Sequence, residues 1–347
     1  MVYQAGDVRT SICTRNIVAY AQHILNALIN SNSGRVAKDA RAIRHHARST
    51  ADQVLAGIDL TGRYFLITGC SSGIGFETMK SLAANGAHVI GLSRSFSSAK
   101  TACDKVGRCA IPIACDLADL ASVITAARTI RGLEIRLHGL IANAGIAIPP
   151  TLQTRCGIEL QFLVNYIGHF LLINRVVDLV RDDCGRIILS SSSASITHAP
   201  QQGIMFDNLD GHRSYEPLQF YGQSKLAVAL YAKELSHRLR ARRIAVNSAH
   251  PGVTRGTGLY RNFTMAKRMA ILTAQLFGKS AAQGAATQVF LAGSPQVAGI
   301  SGEHWSNCRI VAGNNLVSDR RLSRRLWKVT EQIIAAGDHL PRLATEP

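Results

Sequence analysis

Tyr221-Gly222-Gln223-Ser224-Lys225 sets a phenol and a primary amine four residues apart. On a helix the two share a face, and Leu226, Ala229, Leu230, Ala232 and Leu235 continue an amphipathic helical pattern beyond them. A phenol with its ordinary pKa near 10 is a weak base at neutral pH. A neighbouring ammonium favours the phenolate, so the pair predicts a general acid/base in Tyr221 tuned by Lys225.

A second candidate lies upstream, in Thr68-Gly69-Cys70-Ser71-Ser72-Gly73-Ile74-Gly75. Glycines between a strand and a helix allow a tight turn and let backbone N–H groups approach a pyrophosphate at the helix N-terminus. The same stretch also spells Gly-x-Ser-x-Gly (Gly69, Ser71, Gly73), the strand-to-helix elbow that presents a nucleophilic serine. Local sequence fits both readings. About twenty residues on, the next apolar run ends in Ser93-Arg94. A free ribose 2′-hydroxyl is usually met there by an acid, and none is present. A guanidinium instead suits a 2′-phosphate, so Arg94 points to NADP(H) in preference to NAD(H), or else is an ordinary exposed arginine.

These residues need elements to hold them. Apolar runs at Tyr64–Thr68, His88–Leu92, 110–114, 137–142, 186–189 and 244–248 are separated by helix-length segments, the first ending at Ala84. Strands alternating with helices predict a parallel sheet covered on both faces, a doubly wound α/β (Rossmann) domain. The domain is expected over 56–347, with a lid at about 253–285 and a C-terminal helix. Residues 1–55 read as a basic, partly helical extension, with seven Lys or Arg before residue 50 against Asp7 and Asp39. Within it Ile17, Ala21, Ile24, Leu25 and Leu28 recur at helical spacing after Asn16. That helix packs on the domain, lies on a membrane surface or belongs to an acid-poor targeting segment.

The composition limits the alternatives. Of 347 residues, 47% are apolar and 18% charged, which excludes a disordered chain. No apolar run approaches the ~20 residues of a membrane-spanning helix. The net charge of +17 admits an anionic partner, but dispersed basic residues and 6% aromatics argue against nucleic acid. The eight cysteines, at 13, 70, 103, 109, 115, 156, 184 and 308, form no C-x-x-C pair and no zinc spacing. They read as buried, reduced thiols in a reducing, cytoplasmic setting, with no metal site.

Taken together, the motifs resemble the short-chain dehydrogenase/reductase family from about Leu60 to about Gln332. Thr68–Gly75 is similar to its T-G-x-x-x-G-x-G, Asn143-Ala144-Gly145 to its N-A-G, Tyr221–Lys225 to its Y-x-x-S-K and His250-Pro251-Gly252 to its P-G after a strand. The resemblance implies cofactor contacts from Gly69, Ser71, Ser72, Gly73, Ile74 and Gly75, from Asp116 and Leu117 at the adenine, and from Asn143, Ala144 and Gly145. Pro251, Gly252 and Val253 would sit near the nicotinamide. It implies Asn165, Ser192, Tyr221 and Lys225 as the catalytic set, with Ser191 as the alternative serine because the run Ser190–Ser193 blurs the register. The long gap from Ser192 to Tyr221, the words around Asn165 and Tyr221, and Arg324–Val329 resemble the retinol-dehydrogenase-like branch.

What the resemblance implies is an oxidoreductase acting on a carbonyl or alcohol of an apolar small molecule, paired as a homodimer or homotetramer through the helices of Asn165 and Tyr221. A nucleotide-sensing or scaffold protein on the same fold is the alternative. Residues 261–279 mix Met265, Met269, Ile271, Leu272, Leu276 and Phe277 with basic residues, which suits a substrate lid or peripheral membrane contact.

Overall fold

A computed structural model describes residues 45–255 and 278–337. Its central sheet is built from β1 (Tyr64–Thr68), β2 (His88–Ser93), β3 (Ala110–Ala114), β4 (Gly139–Ala142), β7 (Arg186–Ser190), β8 (Ala245–His250), β9 (His304–Ser306) and β10 (Arg309–Ile310). They lie in the order β3-β2-β1-β4-β7-β8-β9-β10, parallel except for the last pair. A separate two-stranded hairpin, β5 (Thr154–Arg155) and β6 (Ile158–Glu159), follows β4 in the chain.

Strand side chains alternate faces, and here both faces are apolar. From β1, Leu66 enters one core while Phe65 and Ile67 enter the other; from β7, Ile187 and Leu189 oppose Ile188. The first core is closed by α4 (Leu120–Arg131), the long helix α5 (Leu160–Val176), α7 (Pro217–Arg238) and α9 (Arg320–Gly337). The second is closed by α1 (Ala51–Leu55), α2 (Gly73–Ala84), α3 (Phe96–Val106) and α8 (Ala281–Gly293). A short helix, α6 (Ala194–Thr197), follows β7. The expected doubly wound sheet is therefore present, with an antiparallel edge added.

Several details depart from the sequence reading. Residues 51–55, assigned by sequence to the extension, form α1 and bury Ala51, Val54 and Leu55 against the second core. The proposed helix over 16–30 and the apolar residues of 261–277 lie outside the described residues. Leu160–Leu179 is apolar and long enough to cross a membrane by composition, contrary to the expectation that no such run exists. It is a mostly buried core helix whose Gln161, Asn165 and His169 make internal hydrogen bonds. The seven described cysteines are all free, but only Cys70, Cys103, Cys115 and Cys308 are buried; Cys156 and Cys184 are exposed in turns.

The helices of Asn165 and Tyr221, expected to pair two subunits, are covered within the chain by α9. Trp327 packs on Phe170 of α5 and Tyr231 of α7, at ring separations of 4.8 and 5.5 Å. Tyr166 and Thr330 share a hydrogen bond of 2.8 Å.

Candidate active site

In an open sheet of this order, neighbouring connections leave in opposite directions at β1 and β4, and a crevice opens at the carboxyl ends of the strands. A cleft of about 940 Å³ lies there. Its floor is the glycine-rich turn. Gly69 has φ +72°, a left-handed conformation that a side chain resists, and a Cβ on Gly75 would fall 2.1 Å from the Gly69 carbonyl oxygen. Helix α2 begins at Gly73 with Ser72 making no capping hydrogen bond. By contrast α1, α3, α4, α7 and α8 are each capped by a side chain. The first amides of α2 are thus left for an anion, which the helix dipole also favours. This cradle fits a dinucleotide pyrophosphate.

The other expected cofactor residues border the same cleft: Ser71, Ser72, Ile74, Arg94, Asp116, Leu117, Asn143–Gly145 and Pro251–Val253. Arg94 is exposed at the end of β2, just before the α3 cap Ser95. Asp116 accepts the Ala118 N–H at 3.0 Å. Arg155, on the β5–β6 hairpin, reaches Asp116 at 3.6 Å and Asp119 at 3.8 Å. The sequence reading missed Arg155, which follows no motif, and Thr254, which extends the P-G segment along the cleft.

Tyr221 and Lys225 both face the cleft from α7, with the Lys225 Nζ 5.8 Å from the centre of the Tyr221 ring. Nζ donates to the Ser190 carbonyl at 3.0 Å. Burial pushes the Lys225 ammonium down to about 8. The serine run resolves into distinct positions. Ser190 Oγ donates to Gln288 at 3.1 Å, and the buried Ser191 Oγ donates to the Lys225 carbonyl at 2.8 Å. Ser192 is half-buried and accepts the Ala194 N–H at 3.2 Å, leaving its own hydrogen for another acceptor. Apolar Ala147, Ile148, Ala194 and Leu218 pack around Tyr221.

Asn165 lies behind this surface, in a π-turn over Leu163–Ile167 within α5. Such turns interrupt the regular ladder and recur at functional sites. Its Nδ2 donates to the Ile146 carbonyl (3.0 Å) and Ser224 Oγ (2.9 Å), while Oδ1 accepts the Ile146 N–H (2.9 Å). Ser224 in turn donates to the Tyr221 carbonyl at 2.8 Å. The side chain therefore ties the segment after Asn143-Ala144-Gly145 to the Tyr221 helix.

A buried chain that sequence alone did not show braces it. Thr68 Oγ1 accepts the N–H groups of Asn143 and Ala144, both at 3.0 Å, so its hydrogen goes to His169 Nε2 at 2.8 Å. His169 must then carry its proton on Nδ1 and donate to the Asn165 carbonyl at 3.0 Å. Burial first, and Lys225 to a lesser degree, push His169 down to about 4, which keeps it neutral. His250 Nδ1 accepts the Ser193 N–H at 3.3 Å, and burial holds it at about 3.

A sequence model of the family described as short chain dehydrogenase matches residues 63–205. The chain is 34% identical over 323 residues to "Short-chain dehydrogenase TIC 32 B, chloroplastic" of Brassica napus, covering 89% of this chain and 99% of that one. It is 34% identical over 294 residues to human "Retinol dehydrogenase 14", covering 79% and 86%. Among solved structures, a blue fluorescent protein from a metagenomic library in complex with NADPH has a TM-score of 0.58 at 26% identity, covering 72% of this chain and 97% of that one.

Proposed function

The chain belongs to the short-chain dehydrogenase/reductase family, in its retinol-dehydrogenase-like branch, and on that premise we propose an NADP(H)-dependent oxidoreductase that interconverts a carbonyl and an alcohol on an apolar small molecule. The observation carrying this reading is that Tyr221, Lys225 and Ser192 face one cleft with the uncapped glycine-rich turn, while Asn165 fixes the Tyr221 helix from behind.

The turn Gly69–Gly75 would hold the pyrophosphate, Asp116 and Leu117 the adenine end, and Asn143–Gly145 with Pro251–Val253 the nicotinamide end. Arg94 supports the choice of NADP(H), since no acid stands at the end of β2 to meet a free 2′-hydroxyl. The nicotinamide, when bound, supplies the hydride chemistry.

The protein's part is orientation, charge and proton delivery. In the reductive direction Ser192 and Tyr221 donate hydrogen bonds to the substrate carbonyl oxygen, and Tyr221 passes its proton to it. Ser192 takes this role over Ser191, whose hydroxyl is spent on the Lys225 carbonyl. Lys225 gives one ammonium hydrogen to Ser190; its other two are available to the nicotinamide ribose and to the tyrosine's proton supply. Asn165 would hold a water that, with Lys225, reprotonates Tyr221. Seven free cysteines suit a reducing compartment.

The reading is tested by following NADPH oxidation against aldehydes and ketones graded in size and polarity. Turnover is expected with apolar members of the set. A protein that binds NADPH yet turns over none of them would instead be a nucleotide-sensing relative.

A further inference from the structure

The amino ends of the same strands, on the edge of the sheet away from the cleft, carry a second recess of about 270 Å³. Arg63 precedes β1, His138 precedes β4, Arg181 and Asp183 sit in the loop before β7, Arg186 opens β7 and Arg243 precedes β8; all line it. The two sites stand at opposite ends of β7. From Arg186 to Ser190 is four residue steps, about 13 Å at ~3.3 Å per residue.

The charge in this recess is not balanced. Four guanidinium groups meet one carboxylate, Asp183, and that is taken by Arg243. Among the described residues, neither Arg63 nor Arg181 makes a side-chain hydrogen bond or an ion pair. Asp59 lies near enough to feel the Arg63 charge but forms no ion pair with it.

Arg186 is half-buried and fixed, since its Nη1 donates to the carbonyls of Leu291 (2.9 Å) and Ser294 (2.6 Å). Its Nε and Nη2 donors remain. Burial first, and then the Arg63 charge, push the Arg186 guanidinium down to about 10. His138 accepts the Tyr64 N–H on Nδ1 at 3.1 Å, so in its neutral form the hydrogen sits on Nε2 as a further donor.

Clustered guanidiniums with open donors repel one another until an anion joins them, and their planar forks match phosphate oxygens in pairs. The volume sets the size of that anion. At ~30 Å³ per water the recess holds about nine waters, room for a phosphate or pyrophosphate with a small substituent. A dinucleotide needs a space more like the cleft at the other end. We propose that this recess binds a compact phosphate-bearing anion, with Arg63, Arg181 and Arg186 supplying the donors.

Inorganic pyrophosphate, titrated calorimetrically into the full-length protein with its cleft saturated by NADPH, tests this. The expected result is one binding site that weakens with added salt. The exposed double variant Arg63→Ala/Arg181→Ala should bind about tenfold or more weakly while its NADPH affinity stays unchanged. Co-sedimentation with phosphatidylcholine vesicles containing phosphatidic acid separates the two sources of such a group. Sedimentation lost in the double variant identifies a lipid headgroup as the ligand; pyrophosphate binding without sedimentation identifies a soluble phosphate. Pyrophosphate binding equal in the wild type and the double variant, or no binding in either assay, overturns the proposal.

Discussion

Lys225 is buried at the wall of the cleft, and burial brings its ammonium down to about 8, so its charge changes within a usable pH range. Reduction needs the protonated lysine and tyrosine together, whereas oxidation needs a proton acceptor. The rate of carbonyl reduction is therefore expected to fall as pH rises through about 8, and the rate of alcohol oxidation to rise, in profiles of kcat/KM. Parallel profiles in the two directions would disconnect Lys225 from proton delivery. Arg94 sits exposed on the cleft rim; Arg94→Asp should lower the ratio of NADPH to NADH affinity by about 10- to 100-fold, read by nicotinamide fluorescence. An unmoved ratio would make Arg94 an ordinary surface residue. Tyr221, Lys225 and the glycine turn were legible because their chemistry depends on local spacing. The Thr68–His169–Asn165 chain was not, since Thr68 and His169 lie 101 residues apart and only the sheet order brings them together. Arg155 was hidden for the same reason.

Elements were legible in proportion to their length. Six strand positions read from apolar runs recur within about two residues at each end, because buried parallel strands write themselves as continuous aliphatic stretches. The two hairpins escaped notice. Their turns place Cys156 (φ 54°) with Gly157 (φ 69°), and Asn307 (φ 54°) with Cys308 (φ 58°), in the left-handed region. Asn-Gly is the usual cue for such turns, and cysteine at either place obscures it. Helix α9 shows what its sequence phrase is for: Trp327 sits on Phe170 and Tyr231, Arg238 lies 3.7 Å over its ring, and its Nε1 donates to Glu331 at 2.6 Å. Trp327→Ala should cost about 3–5 kcal/mol, measured by urea unfolding. A loss below about 1 kcal/mol would mean that α9 rests on the α5 and α7 face without holding it.

At the scale of the whole molecule, one sheet order accounts for both ends of the protein. The carboxyl ends of the strands diverge around β1 and β4 and open a cleft of about 940 Å³, while their amino ends gather four arginines and one carboxylate around a smaller recess. The net charge of +17 admits an anionic partner but does not say where one would bind, because a charge total carries no position. Only the fold separates arginines that answer a carboxylate, such as Arg131 with Asp178, from those that answer none. The central claim nevertheless rests on a single hydroxyl. Tyr221→Phe removes that oxygen and leaves the helix, Lys225 and the glycine turn in place, so NADPH turnover and NADPH binding measured side by side on the variant test it most directly. The account predicts turnover reduced to background with NADPH affinity within about twofold of wild type, a difference of under ~0.5 kcal/mol. Substantial carbonyl reduction by the variant would contradict it.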